Sequence, residues 1–255
     1  MYALLHYILS DRKGGTIFTC FGPWHLGYMA LVFGLIALIC WHLKDGPQTA
    51  RIRAAVSLIH VAFGLYIADF FLMPFAYEQI DMEKLPFHVC TAMCVMCFLS
   101  RHVSSLKPYV LPLARLGFVS NLVYLIYPAG VMWHGVHPLC YRVIQTLLFH
   151  GMMTAYGFVT LLYEGEPLSR QSFRRDLFTI AAMTAWAVLG NILYTGAAGT
   201  YDHAFNWFFV TADPFGLLDR RLAPFLMPCI DIAAFLGVEL LVYGVFSALG
   251  VRHAE

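Results

Sequence analysis

Apolar residues run through this 255-residue chain in stretches long enough to cross a bilayer, parted by short polar breaks. A helix needs about 20 mainly apolar residues to span the hydrocarbon core. Seven stretches qualify, at about 24–43, 52–74, 86–103, 109–130, 138–163, 176–196 and 227–249. Their punctuation is regular: Gly46-Pro47 follows the first, Pro74 closes the second, Leu85-Pro86 opens the third and Lys107-Pro108 opens the fourth. Proline in a first helical turn forfeits no intrahelical hydrogen bond. The pattern predicts an all-α fold, a polytopic bundle of seven transmembrane helices forming one domain over residues 1–255.

The longest connection, about 197–226, is aromatic and rich in turn residues, with Tyr201, Phe205, Trp207, Phe208, Phe209, Asp213-Pro214 and Phe215-Gly216. Irregular backbone is excluded from lipid unless protein buries it. The segment is therefore expected to be either a lid over the bundle or a re-entrant stretch. No internal repeat or low-complexity tract interrupts the pattern.

Composition reinforces this reading, since 60% of residues are hydrophobic and 12% charged, against roughly half and a quarter in soluble domains. A net charge of +1 provides no field that would recruit nucleic acid. Met1 to Leu9 has no preceding basic region and reads as no cleaved leader. Cys40, Cys90, Cys94, Cys97 and Cys229 lie in apolar runs, which favours buried free thiols over disulfides. Short loops and minimal tails suggest a bacterial cytoplasmic membrane.

Orientation follows from basic residues, which cytoplasmic loops retain. With the N-terminus outside and the C-terminus inside, Lys44, Arg51, Arg53, Arg101, Lys107, Arg170, Arg174, Arg175 and Arg252 fall inside. Arg12, Lys13, Lys84, Arg220 and Arg221 then fall outside, while Glu78, Asp81 and Glu83 cluster in an outer loop. The larger basic set supports that orientation.

Polar groups within spans are costly and face the bundle interior or a wet cavity. They comprise His60 and Asp69 in the second span, His88 and Cys90 in the third, Arg115 and Asn121 in the fourth, Arg142, Gln145 and His150 in the fifth, Asn191 in the sixth, and Asp231 and Glu239 in the seventh. One reading makes them interhelical glue, with Arg115 or Arg142 paired to Glu239, Asp231 or Asp69. The other makes them the lining of a transport path, a ligand pocket or an active site.

Among these, Cys90 and His150 place a thiol and an imidazole in different spans. A neutral thiol is a poor nucleophile, and a histidine that takes its proton activates it. His88 and Cys90, two residues apart, would point about 200° from one another on an ideal helix. Cys90, Cys94 and Cys97 form one helical stripe, which is also what a small-residue packing face looks like, so no metal site is expected there.

These same residues carry a resemblance to the YwaF and transmembrane protein 164 family over most of the chain. It rests on Pro23-Trp24-His25, the Leu85-Pro86-x-His88-x-Cys90 entry to the third span, His137-Pro138 leading to Phe149-His150-Gly151, and Asn191. Asn206-Trp207, Asp213-Pro214 and Leu217-Leu218-Asp219 follow in the family's order. Where the family carries Asn-Tyr, this chain has Asn206-Trp207.

Animal members of that family are described as acyltransferases that move an acyl group between phospholipids through a cysteine thioester. The resemblance implies a nucleophile at Cys90, a proton acceptor at His150, and a membrane phospholipid or lysophospholipid as partner, with no cofactor. His88, Asn191, Asn206 and Gln145 are the oxyanion or substrate-positioning residues to test. Asp69, Arg115, Arg142, Asp231 and Glu239 form the expected buried charge network. That network keeps a second class open, a carrier for a small molecule or ion, and a non-catalytic lipid-binding or sensory scaffold is the third.

Overall fold

A computed structural model describes the chain except at residues 1–5, 8, 12–14, 77–83, 133, 199–209, 212–215, 220 and 249–255, and except for the side chains of 195–198. Its main helices are α1 (Pro23–Leu43), α2 (Gln48–Ala76), α3 (Val89–His102), α4 (Val110–Ile126), α5 (Tyr141–Glu164), α6 (Arg170–Ala198) and α7 (Ala223–Ala248). A 3-10 segment, Ser104–Tyr109, leads directly into α4, and a one-turn helix, Ala129–Met132, follows it. Each main helix falls on one of the seven apolar stretches, and no strand occurs among the described residues.

Six of these helices are long and apolar enough to cross a membrane, the fourth together with its flanking turns. The third is shorter than the sequence suggests. Its 14 residues rise about 21 Å at 1.5 Å each, short of the roughly 30 Å hydrocarbon core. Its start moves from Pro86 to Val89 because residues 84–88 form turns. Other boundaries shift outward, the starts of α2 and α7 by four residues each. α2 continues through Pro74 to Ala76, losing one backbone bond near its end. α6 begins at Arg170, six residues before the expected 176. There Ser169 and Ser172 cap one another reciprocally, each backbone N–H donating to the other hydroxyl at 2.8–3.0 Å.

The chain divides into two compact units, one of 1–82 with 117–164 and the other of 83–116 with 165–255. In the first, α2 and α1 both pack on α5. α5 buries 72% of its most apolar window, whereas α1 buries 17%, so α5 is the core helix and α1 leaves most of its surface for lipid. Gly151 lets α1 approach, since a Cβ there would stand 2.7 Å from a Val32 methyl. His25, fully buried, ties the start of α1 to the end of α4. Its Nδ1 accepts from the Phe21 N–H at 2.9 Å, and its Nε2–H donates to the Leu125 carbonyl at 2.7 Å.

In the second unit, α6 packs against α7 and, more lightly, against α3, while α3 folds back on the 3-10 segment. α7 is apolar nearly all round, and its buried face consists of Ala223, Met227, Asp231, Glu239 and Phe246. Two carboxylates on so short a stripe are expensive to bury.

Candidate functional site

Cys90 is the second residue of α3, 4% exposed, in the first turn after the His88 N-cap. His88 has extended backbone (φ −75°, ψ 142°) and its side chain makes no capping bond. It therefore lies outside the helix, and the 200° separation expected of His88 and Cys90 on one helix does not apply. Residues before the helix are fixed from two directions. The Thr91 hydroxyl donates to the carbonyls of Leu85 and His88, at 3.0 Å each. On α6, the Trp186 indole N–H donates to the Pro86 carbonyl at 2.6 Å.

Phe87 stacks on Trp186 at 5.0 Å and meets Tyr194 edge-on at 5.6 Å. Its ring lies over Gly190, where a Cβ would overlap it. Asn191, the next residue, is buried and donates from Nδ2 to the Ala187 carbonyl at 2.8 Å. The second unit thus holds the entry to α3, which carries His88 and Cys90, against α6 through Pro86 and Phe87, at Trp186, Gly190 and Tyr194. Cys94 and Cys97, fully buried further along the same helix, form no disulfide among the described residues.

His150 belongs to the first unit, nine residues into α5. Its Nδ1 lies 2.9 Å from the Thr146 carbonyl, an acceptor, so Nδ1 carries the proton and Nε2 is the basic nitrogen of the neutral ring. The Tyr124 ring on α4 stacks on the imidazole at 3.9 Å and 25°, and Phe149 meets it edge-on at 5.0 Å. The Thr154 hydroxyl donates to the His150 carbonyl at 2.8 Å. Gln145 is buried in the preceding turn, its Oε1 accepting from the Thr146 hydroxyl at 3.4 Å.

The expected charge network resolves into separate groups with other partners. Arg115 pairs with Asp176, not with Asp69, Asp231 or Glu239. Its Nη2 and Nε donate to Asp176 Oδ1 at 2.8 and 3.3 Å, and its guanidinium lies 4.2 Å over the Tyr243 ring. The Tyr243 hydroxyl donates to the other Asp176 oxygen at 2.9 Å. The early start of α6 explains the partner, because it carries Asp176 two turns into the helix instead of leaving it at a boundary. The reciprocal Ser169-x-x-Ser172 cap was the sequence signal for that start.

Arg142, in the first turn of α5, pairs with Asp11 at 2.8 Å and with His134 at 3.1 Å. Asp69 accepts from the Tyr141 hydroxyl at 2.9 Å. Glu239, 2% exposed, and Asp231, 8% exposed, are buried without an ion pair among the described residues. Sequence reasoning passed over Asp11, Tyr124, Asp176 and Tyr243. Asn206 and most of the 197–226 connection lie outside the described residues.

Compared with known families, the chain matches the model of the TMEM164 family over residues 20–244. No curated protein and no solved structure matches it.

Proposed function

Because the chain belongs to the TMEM164 family and is an integral membrane protein, we propose that it is a membrane-lipid acyltransferase or ester hydrolase working through a thioester on Cys90. The observation that carries the reading is the preparation of His150. A buried imidazole whose Nδ1–H is committed to the Thr146 carbonyl offers Nε2 as a proton acceptor, and the flat Tyr124 ring against it favours the imidazolium formed when it takes one. Cys90 supplies the complementary half. A thiolate in the first turn of α3 meets the positive end of the helix dipole, with no side-chain cap competing for the leading N–H groups.

The reaction proceeds in two balanced halves. The Cys90 sulfur attacks the ester carbonyl of a phospholipid while His150 Nε2 takes the thiol proton. The tetrahedral intermediate collapses, the C–O bond breaks, and the departing lysolipid alkoxide takes the proton from His150. A second lysolipid hydroxyl, or water, then attacks the thioester and passes its proton to His150. The sulfur leaves as thiolate and recovers that proton. In this proposal the backbone N–H groups in the first turn of α3, which carries Cys90, and the Asn191 amide on α6 stabilise the oxyanion. His88 and Asn206 serve the same role in this proposal, and Gln145 positions substrate on the His150 side.

The test is direct. The purified protein in nanodiscs is incubated with phospholipid and its intact mass measured. The expected result is one acyl adduct that Cys90→Ala abolishes and His150→Ala strongly slows. A wild type that never acylates, or an adduct that survives Cys90→Ala, overturns the proposal. Release of free fatty acid against transfer to added lysophospholipid separates hydrolase from transferase.

A further inference from the structure

The second unit buries a polar cluster that the thioester chemistry leaves unused. Arg115 on α4, Asp176 on α6 and Tyr243 on α7 form one closed set: Asp176 Oδ1 takes two guanidinium N–H groups and Oδ2 takes the tyrosine hydroxyl. Arg115 and Asp176 are each 2% exposed and neutralise one another. One turn from Tyr243, Glu239 lies within electrostatic reach of both charges. Neither of its oxygens has a hydrogen-bond partner among the described residues.

An ionised carboxylate left in this state would be an uncompensated buried charge, which costs several kcal/mol. A neighbouring arginine already committed to another carboxylate does not remove that cost. Some ligand must therefore neutralise Glu239, and the surroundings select which. A metal cation needs several oxygen donors, yet both Asp176 oxygens are engaged and the Arg115 charge stands beside the site. A proton needs one oxygen and no further ligands.

We propose that Glu239 is a proton-binding site, taking up and releasing a proton against the fixed Arg115–Asp176 pair. Its place in the unit says with which solution it exchanges. Arg115 lies five residues from the start of α4, Asp176 six from the start of α6, and Glu239 nine from the end of α7. Each is within about 14 Å of that end of its own helix, and Lys107, Arg170, Arg174 and Arg175 lie at those ends of α4 and α6. Proton occupancy therefore couples that side of the membrane to the packing of α7 on α6, because the ionised form is driven to expose Glu239. The Cys90 chemistry is not needed for this site, and each proposal stands or falls alone.

An infrared difference titration of the purified protein in nanodiscs tests it. The wild type should show a protonated-carboxyl band that disappears as one proton is removed by raising pH. Glu239→Gln should lose that band, Glu239→Asp should keep a shifted one, and Asp231→Asn should leave it in place. The aspartate variant separates loss of the acid from loss of the fold. A band unaltered in Glu239→Gln, or a carboxylate signal that responds to sodium at fixed pH and not to pH itself, overturns the proposal.

Discussion

Tyr124 is the residue that most sharpens the reading of His150. Its ring lies flat on the imidazole at 3.9 Å, a geometry that favours the cationic form the ring takes after accepting a proton. An aromatic face contributes about 1 kcal/mol to such a cation, close to fivefold in rate. Tyr124→Phe keeps the face and should acylate like the wild type, whereas Tyr124→Leu should acylate about fivefold more slowly with similar thermal stability. Equal rates for the two variants in the intact-mass assay would remove Tyr124 from the mechanism. Hydropathy marked His150 and Cys90 as costly groups in spans, and the family resemblance gave them roles. It could not reveal Tyr124, since an aromatic residue in an apolar span has no pattern that separates a ring partner from a lipid contact. Arg115 shows the same limit: its presence was legible, but its partner, Asp176, is 61 residues away and its place depended on where α6 begins.

Elements were legible in number and order, and their ends were not. Hydropathy locates the apolar middle of a helix, while caps and turns set its limits, as the Ser169 and Ser172 pair does for α6 and the extended His88 does for α3. The start of α3 matters most because it positions Cys90, and its position depends on α6. Phe87 can lie against α6 only because residue 190 has no side chain. Gly190→Ala should force the ring away and shift the 85–88 turn, with an overpacking cost of about 1–3 kcal/mol. The expected outcome is a protein that still folds in detergent but acylates slowly. A second change, Phe87→Leu, makes room for the new methyl and should recover most of the lost stability. If Gly190→Ala acylates at the wild-type rate, the contact with α6 does not govern Cys90.

At the scale of the whole molecule, the number of crossings turns on α3. Fourteen helical residues do not span the hydrocarbon core, but the turn before them has its carbonyls satisfied by protein: Pro86 by the Trp186 indole, Leu85 and His88 by the Thr91 hydroxyl. Irregular backbone satisfied in this way is tolerated at membrane depth, so turn and helix together are expected to serve as one crossing. The exposed loop residues Asp45 and Ser105 then lie on the same side of the membrane, because α2 and α3 make a complete return between them. If α3 fails to cross, they lie on opposite sides, whatever the orientation of the chain. Single cysteines at these two positions, in a background with the exposed Cys229 replaced by serine, should both be labelled by an impermeant thiol reagent applied to the cytoplasmic face and both be protected from the opposite face. The larger basic set, including Lys44, Arg51, Lys107 and Arg170, sets which face that is by the positive-inside rule. Labelling of the two from opposite faces would reduce the crossings to six and put both termini on one side. Labelling of both from the outer face would keep seven crossings and invert the molecule.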